Sequence, residues 1–229
     1  MQQPLPAPTA QGAFAKTPFP HLLVYALENR LTGTFELTAF GGSVATLLVV
    51  QGLPAKVRTT ESVHFLGNVM LELGLITQEQ HAASIQKLSE SPRLHGQVLI
   101  EMGILDEQRV QVAVRTQLEK KLDHLFTLPV ETLFSFYDGV DLLQSFGGPP
   151  TPTDPFPALW RGVRQSPAWE HVDGTLRRIG PSAIRLAPQA QVERFMLGRA
   201  EAGVLDLLRQ RPMRVVDLAN AKVVGPSVA

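Results

Sequence analysis

The sequence predicts an α+β protein: a short helix and a small antiparallel sheet packed with a duplicated helical hairpin, followed by a mostly helical C-terminal region. Three observations carry this expectation. Alternating and β-branched residues fill positions 34–59. A glycine-punctuated motif occurs twice, 29 positions apart. A proline- and glycine-rich stretch at 147–155 separates both from a series of helical patterns. The 229 residues, 44% of them hydrophobic and 18% charged, are enough to build a packed core.

Residues 1–18 are rich in Pro, Ala and Gln and read as a flexible tail. Pro4, Pro6 and Pro8 remove amide donors and favour extended chain. From Phe19 to Asn29, Pro20 suits a first helical turn, and Leu22, Leu23, Ala26 and Leu27 share one face. Asn29 to Gly33 breaks the helix. Thr34 to Thr38 alternates as a strand does, Gly41-Gly42 turns, and Ser43 to Val50 is a β-branched run that reads as a buried strand. After a turn at Gly52, Ala55 to Thr59 forms a third strand.

The duplicated motif is the clearest pattern. Leu66 to Thr77 returns as His95 to Asp106, with identities at Gly67/Gly96, Val69/Val98, Glu72/Glu101 and Gly74/Gly103. Thr77 and Asp106 are N-cap types, and Gly74 and Gly103 suit the left-handed residue that ends a helix. Each copy therefore reads as a short helix, a glycine turn and a capped second helix, and the two hairpins bury their apolar faces against each other. The second copy's long helix runs from Glu107 to about Thr127, where Pro129 stops it. Glu131 to Tyr137 alternates as a strand that rejoins the sheet, closing residues 19–146 into one α+β domain. Beyond the linker at 147–155, helical patterns lie at 157–165, 167–179, 189–197, 200–210 and from 212 onward. Gly225 to Ala229 looks like the start of a further helix, so 156–229 is expected to be a truncated, winged-helix-like region.

Composition excludes several chemistries. With no cysteine, a disulfide framework, a thiolate metal site and a cysteine nucleophile are all ruled out. The formal net charge of +0 weighs against a general nucleic-acid binder. No apolar run reaches the length of a bilayer span, and Met1 to Phe14 lacks the pattern of a signal peptide, so a cytoplasmic protein is expected. The 6 histidines show no metal-ligand spacing, and neither glycine pair precedes the Lys-Ser/Thr of a phosphate loop. The expectation is a non-enzymatic protein with no catalytic residue, metal or cofactor.

His21-Leu22-Leu23, Leu31-Thr32-Gly33-Thr34-Phe35-Glu36-Leu37 and Ala45 to Val57 together resemble the PatA-type N-terminal (PATAN) domain family over roughly residues 19–146. That resemblance implies a protein-binding adaptor of bacterial signalling, tied to type IV pili, surface motility and cell polarity. By family association the partner is a pilus ATPase or a Ras-like polarity GTPase system. The tandem Leu-Gly…Gly-Leu-Ile pattern is also similar to the N-terminal domain of type II secretion and pilus assembly ATPases. Some members of that family bind cyclic di-GMP through an arginine that this chain replaces with Phe65 and Leu94. An aliphatic or phenyl group cannot reproduce the charge and planar fork of a guanidinium. The 200–221 region resembles part of a winged-helix domain.

The expected site is the apolar groove between the repeats, with Leu66, Met70, Leu75, Ile76, Leu99, Ile104, Leu105, Glu72 and Glu101 as its partner-binding residues, or else the edge of the sheet. It would bind a protein, with a homo-oligomer among the arrangements it allows. The two glutamates read as solvated helix surface, as contacts for a basic partner, or as paired acids. His95 stands where the first copy has Leu66, and reads as a half-buried, hydrogen-bonded histidine or as a ligand contact. The arginines after residue 156 read as a solvated scaffold, a surface for an acidic partner, or a DNA reader. A cyclic di-GMP sensor and a DNA-binding regulator are the alternatives to the adaptor.

Overall fold

The computed structural model describes residues 6–90 and 93–221. The fold is α+β and divides into two compact units, residues 1–155 and 156–229. In the first unit the elements run β1 (Ala10–Ala13), α1 (Phe19–Glu28), β2 (Gly33–Thr38), β3 (Val44–Val50), β4 (Leu53–Thr59), α2 (Leu66–Glu72), α3 (Gln78–Glu90), α4 (His95–Glu101), α5 (Glu107–Leu125) and β5 (Leu133–Asp138).

The five strands form one antiparallel sheet in the order β1-β5-β2-β3-β4. β5 rejoins the sheet beside β2, with Phe35 opposite Phe136 and Leu37 opposite Phe134. This register puts Phe35, Leu37, Ala45, Leu47, Phe134 and Phe136 on one face, because strand side chains alternate. The Phe35 and Phe136 rings lie 4.5 Å apart. These residues are buried, as are Phe19, Leu22, Leu23 and Ala26 of α1 and Leu118, Leu122 and Leu125 of α5. Phe19 meets Phe126 edge-on at 4.9 Å, just past the end of α5.

The opposite face of β3 is covered too. Leu48, Ala55 and Leu143 form a smaller cluster, with Val50 and Phe146 packed against it. Thr34 fixes the covering segment: its buried hydroxyl donates to Val140 O at 2.6 Å and accepts from Leu142 N at 3.1 Å. Burial on both sides explains why 44–50 is a continuous apolar run rather than an alternating one.

Two expectations about the chain's organisation need correction. Residues 1–18 are not a tail throughout: Ala10–Ala13 is an edge strand on β5, and Thr9 N donates to Phe136 O at 2.7 Å. The Phe134 ring leaves only 2.7 Å to where a Cβ on Gly12 would sit, so the residue must be small. Phe14 is buried and anchors the end of the strand. Residues 1–5 lie outside the described residues. The segment 147–155 is not a free linker either, since Thr151 N donates to Ala55 O at 3.0 Å and Thr153 N to Pro54 O at 2.9 Å. The first unit therefore extends to Pro155.

The second unit comprises α6 (Phe156–Gln165), α7 (Trp169–Ile179), a 3-10 turn (Val192–Phe195), α8 (Arg199–Gln210) and α9 (Val215–Asn220). The helix expected over 189–197 is only that 3-10 turn, ended by Met196 in the left-handed conformation at φ 52°. Ile184 and Met213 form an isolated antiparallel bridge, each amide donating to the other's carbonyl at 2.8 Å. The helix start expected at Gly225 to Ala229 lies outside the described residues.

Candidate functional site

Both copies of the repeat fold as their capping residues dictate. Thr77 and Gln80 form a reciprocal capping box: Thr77 N donates to Gln80 Oε1 at 2.9 Å, and Gln80 N to Thr77 Oγ1 at 3.2 Å. Asp106 accepts from Arg109 N at 2.8 Å. Gly74 and Gly103 take φ of 64° and 67°, where a side chain would be strained. The amides that follow close α2 and α4 identically: Leu75 N reaches Met70 O at 2.9 Å, and Ile104 N reaches Leu99 O at 3.0 Å.

The helices then pack reciprocally. α2 lies chiefly against α5, the long helix of the other copy, and α4 lies chiefly against α3. That is the arrangement a pseudo-twofold relation between the copies requires. Met70, Ile76, Leu99, Leu105, Val110 and Ala113 make the shared core, with Leu66, Leu71, Leu75, Ile104 and Val114 packed partly buried around it.

This geometry corrects the expected binding groove. Met70, Ile76, Leu99 and Leu105 are buried, and Leu66, Leu75 and Ile104 are only partly exposed against the same core. Matched apolar positions meet across the pseudo-twofold and fill the space between the copies, so these residues hold the repeat together. Glu72 and Glu101 are exposed as expected, and each has a cation of its own chain. Lys120 Nζ lies 2.6 Å from Glu72, whose pKa is lowered by the hydrogen bond and then the charge of that lysine. Arg93 pairs with Glu101.

The apolar residues that do remain exposed are others. Phe65, at the N-cap of α2, is 58% exposed, and its match Leu94, at the N-cap of α4, is 37% exposed. Leu73, Ile85, Ile100 and Val112 are also exposed on the repeat helices. Sequence reasoning passed over them because periodicity reports which positions are apolar and not which of them find partners.

One of the two seams is polar. His95 Nε2 lies 2.8 Å from Ser84 Oγ, and that hydroxyl donates its proton to His81 O at 2.7 Å. The hydroxyl has only one proton, so His95 Nε2–H is the donor to Ser84. The His81 and His95 rings are 5.7 Å apart, centroid to centroid. Burial, and then the charge of His81, lowers the pKa of His95. The half-buried, hydrogen-bonded histidine expected at position 95 is therefore observed.

A second polar cluster surrounds Phe146 beside β4. Lys56 Nζ donates to Leu143 O and Phe146 O, each at 3.2 Å. The Arg58 guanidinium and Lys121 Nζ stand 5.3 and 5.8 Å from the Phe146 ring centroid. Lys121 is buried, reaches Val57 O at 3.4 Å, and has its pKa lowered by that burial. These cations serve backbone carbonyls and an aromatic ring, and so tie residues 143–146 to the sheet.

In the second unit, an open concavity of about 610 Å³ is lined by Ala183, Arg211, Pro212, Met213, Arg214, Asp217, Asn220 and Ala221. Arg214 is engaged by Asp217 at 3.0 and 3.2 Å. Elsewhere in the unit Arg164 pairs with Glu201 at 2.8 Å and Arg194 lies 4.2 Å over the Phe156 ring. Among the described residues no group of three or more His, Asp or Glu is placed to hold a metal, and no helix is long and apolar enough to cross a membrane. No protein-family model matches the chain, and neither a curated protein nor a solved structure is significantly similar to it.

Proposed function

We propose that residues 1–155 form a non-catalytic docking module and that the chain is a cytoplasmic adaptor in bacterial signalling. The observation that carries this reading is the matched exposure of Phe65 and Leu94, two large apolar side chains at equivalent positions of a repeat whose matched pairs Val69/Val98, Met70/Leu99 and Ile76/Leu105 are buried. Exposed aromatic and aliphatic side chains on a rigid helical frame are what a protein partner anchors on. The resemblance to PATAN domains supports a place in motility, type IV pilus or cell-polarity regulation. A pilus ATPase or a Ras-like polarity GTPase system is the partner class that resemblance favours.

The test is affinity capture from the native host with the wild-type chain and with a Phe65→Ser, Leu94→Ser, Ile100→Ser variant. All three positions are exposed, so circular dichroism is expected to be unchanged. A protein held by the wild type and lost from the variant is the expected result. Equal recovery by both, or none beyond a tag-only control, overturns the proposal.

A further inference from the structure

The two seams of the repeat are built on one plan with different chemistry. At the α2–α5 seam the matched residues are Leu66, Val110 and Ala113, all within or against the apolar core. At the α3–α4 seam the same three places hold His95, His81 and Ser84. Each short helix also meets these residues through a glycine. A Cβ on Gly96 of α4 would lie 2.6 Å from Val110 Cγ1 of α5, and one on Gly67 of α2 would abut His81 Nε2 of α3 and lie 2.7 Å from His95 Cε1 of α4.

We infer that the α3–α4 seam is an acid-sensitive joint that loosens when His95 is protonated. Neutral His95 fills its place with one donor spent on Ser84. A second proton puts a cation in a half-buried position. α3 presents His81 and Ser84 to it, and α2 presents Gly67. The one charge felt at His95 is that of His81, which opposes a further positive charge. On its own helix, Glu101 is occupied by Arg93.

The sign follows from linkage. The folded-state pKa of His95 lies below its ordinary value of 6.5. The unfolded or opened chain therefore binds more protons as pH falls. The seam is fully stable above about pH 6.5 and weakens as pH drops below it.

Backbone amide hydrogen exchange on the full chain at about pH 7.5 and about pH 5.5 tests the inference, with α4 amides normalised to amides of the buried strand β3 in the same molecule. The expected result is a fall in relative α4 protection of about threefold to tenfold at the lower pH. A chain carrying the other seam's residues, His81→Val, Ser84→Ala and His95→Leu, is expected to lose that difference. Equal pH dependence in both chains overturns the inference. Should the variant fail to fold, the imidazole titration of wild-type His95 followed by NMR decides. A midpoint below 6.5 supports the joint, and one at or above 6.5 overturns it.

Discussion

Gly67 and Gly96 show how much a single missing methyl controls. Each lets a short helix approach a long one so closely that a Cβ would meet His81 and His95 in the first case and Val110 in the second. Gly67→Ala is expected to destabilise the first unit by about 1–3 kcal/mol, and Gly96→Ala by a similar amount, because a close-packed contact must move to admit the methyl. Denaturant midpoints at constant m-value measure both. An unchanged midpoint for either variant would mean that its helix contact yields to the methyl at no cost. At this scale the residue types were legible and their surroundings were not. The identities at 67/96 and 74/103 marked the glycines as structural. The same pattern left Met70 and Leu99 looking like surface candidates, although their partners across the pseudo-twofold bury them completely. A one-dimensional period cannot say which of two apolar neighbours faces a second copy of the motif.

α5 is the element on which the first unit converges. It carries Leu118, Leu122 and Leu125 into the sheet's core and Val110 and Ala113 into the repeat. Its first turn is held by Asp106, whose carboxylate accepts from Arg109 N. Asp106→Ala is therefore expected to cost about 1 kcal/mol, seen as a lower denaturant midpoint, and Asp106→Asn much less because the amide oxygen still caps. A loss as large for Asn as for Ala would shift the credit from the hydrogen bond to the carboxylate's charge. Elements with strong local signals, such as α5 with its cap and stop and β3 with its β-branched run, were readable in advance. β1 was not. Ala10-Gln11-Gly12-Ala13 has neither β-branched residues nor alternation, and its order comes from the ladder that β5 offers 120 or so positions later. Small residues were required there by the Phe134 ring, a condition visible only in three dimensions.

At the scale of the whole molecule the two units differ in how completely their apolar residues are enclosed. In the first, both faces of the central strands and the repeat core are sealed. In the second, Ala158, Leu159 and Met213 are the buried hydrophobic residues among those described, and α7, α8 and α9 bury none. Buried apolar area is the main source of resistance to opening. Amides of residues 156–221 are accordingly expected to exchange at lower denaturant than those of β2, β3 and α5 in native-state hydrogen exchange. The reverse order would contradict the contrast in burial. The unit boundary was signalled by the prolines near 150, yet it falls at the far end of that segment, because Thr151 and Thr153 are hydrogen-bonded to the outer strand.

The crossing of partners in the repeat has a consequence for how such a module can be taken apart. Because each short helix rests chiefly on the long helix of the opposite copy, a chain shortened to one copy would leave its short helix without its main support. Such a half-molecule could restore that support by intertwining with a twin. Duplication inside a single polypeptide turns that concentration-dependent assembly into a covalent certainty, and frees each copy to diverge, one into oil and the other into imidazole.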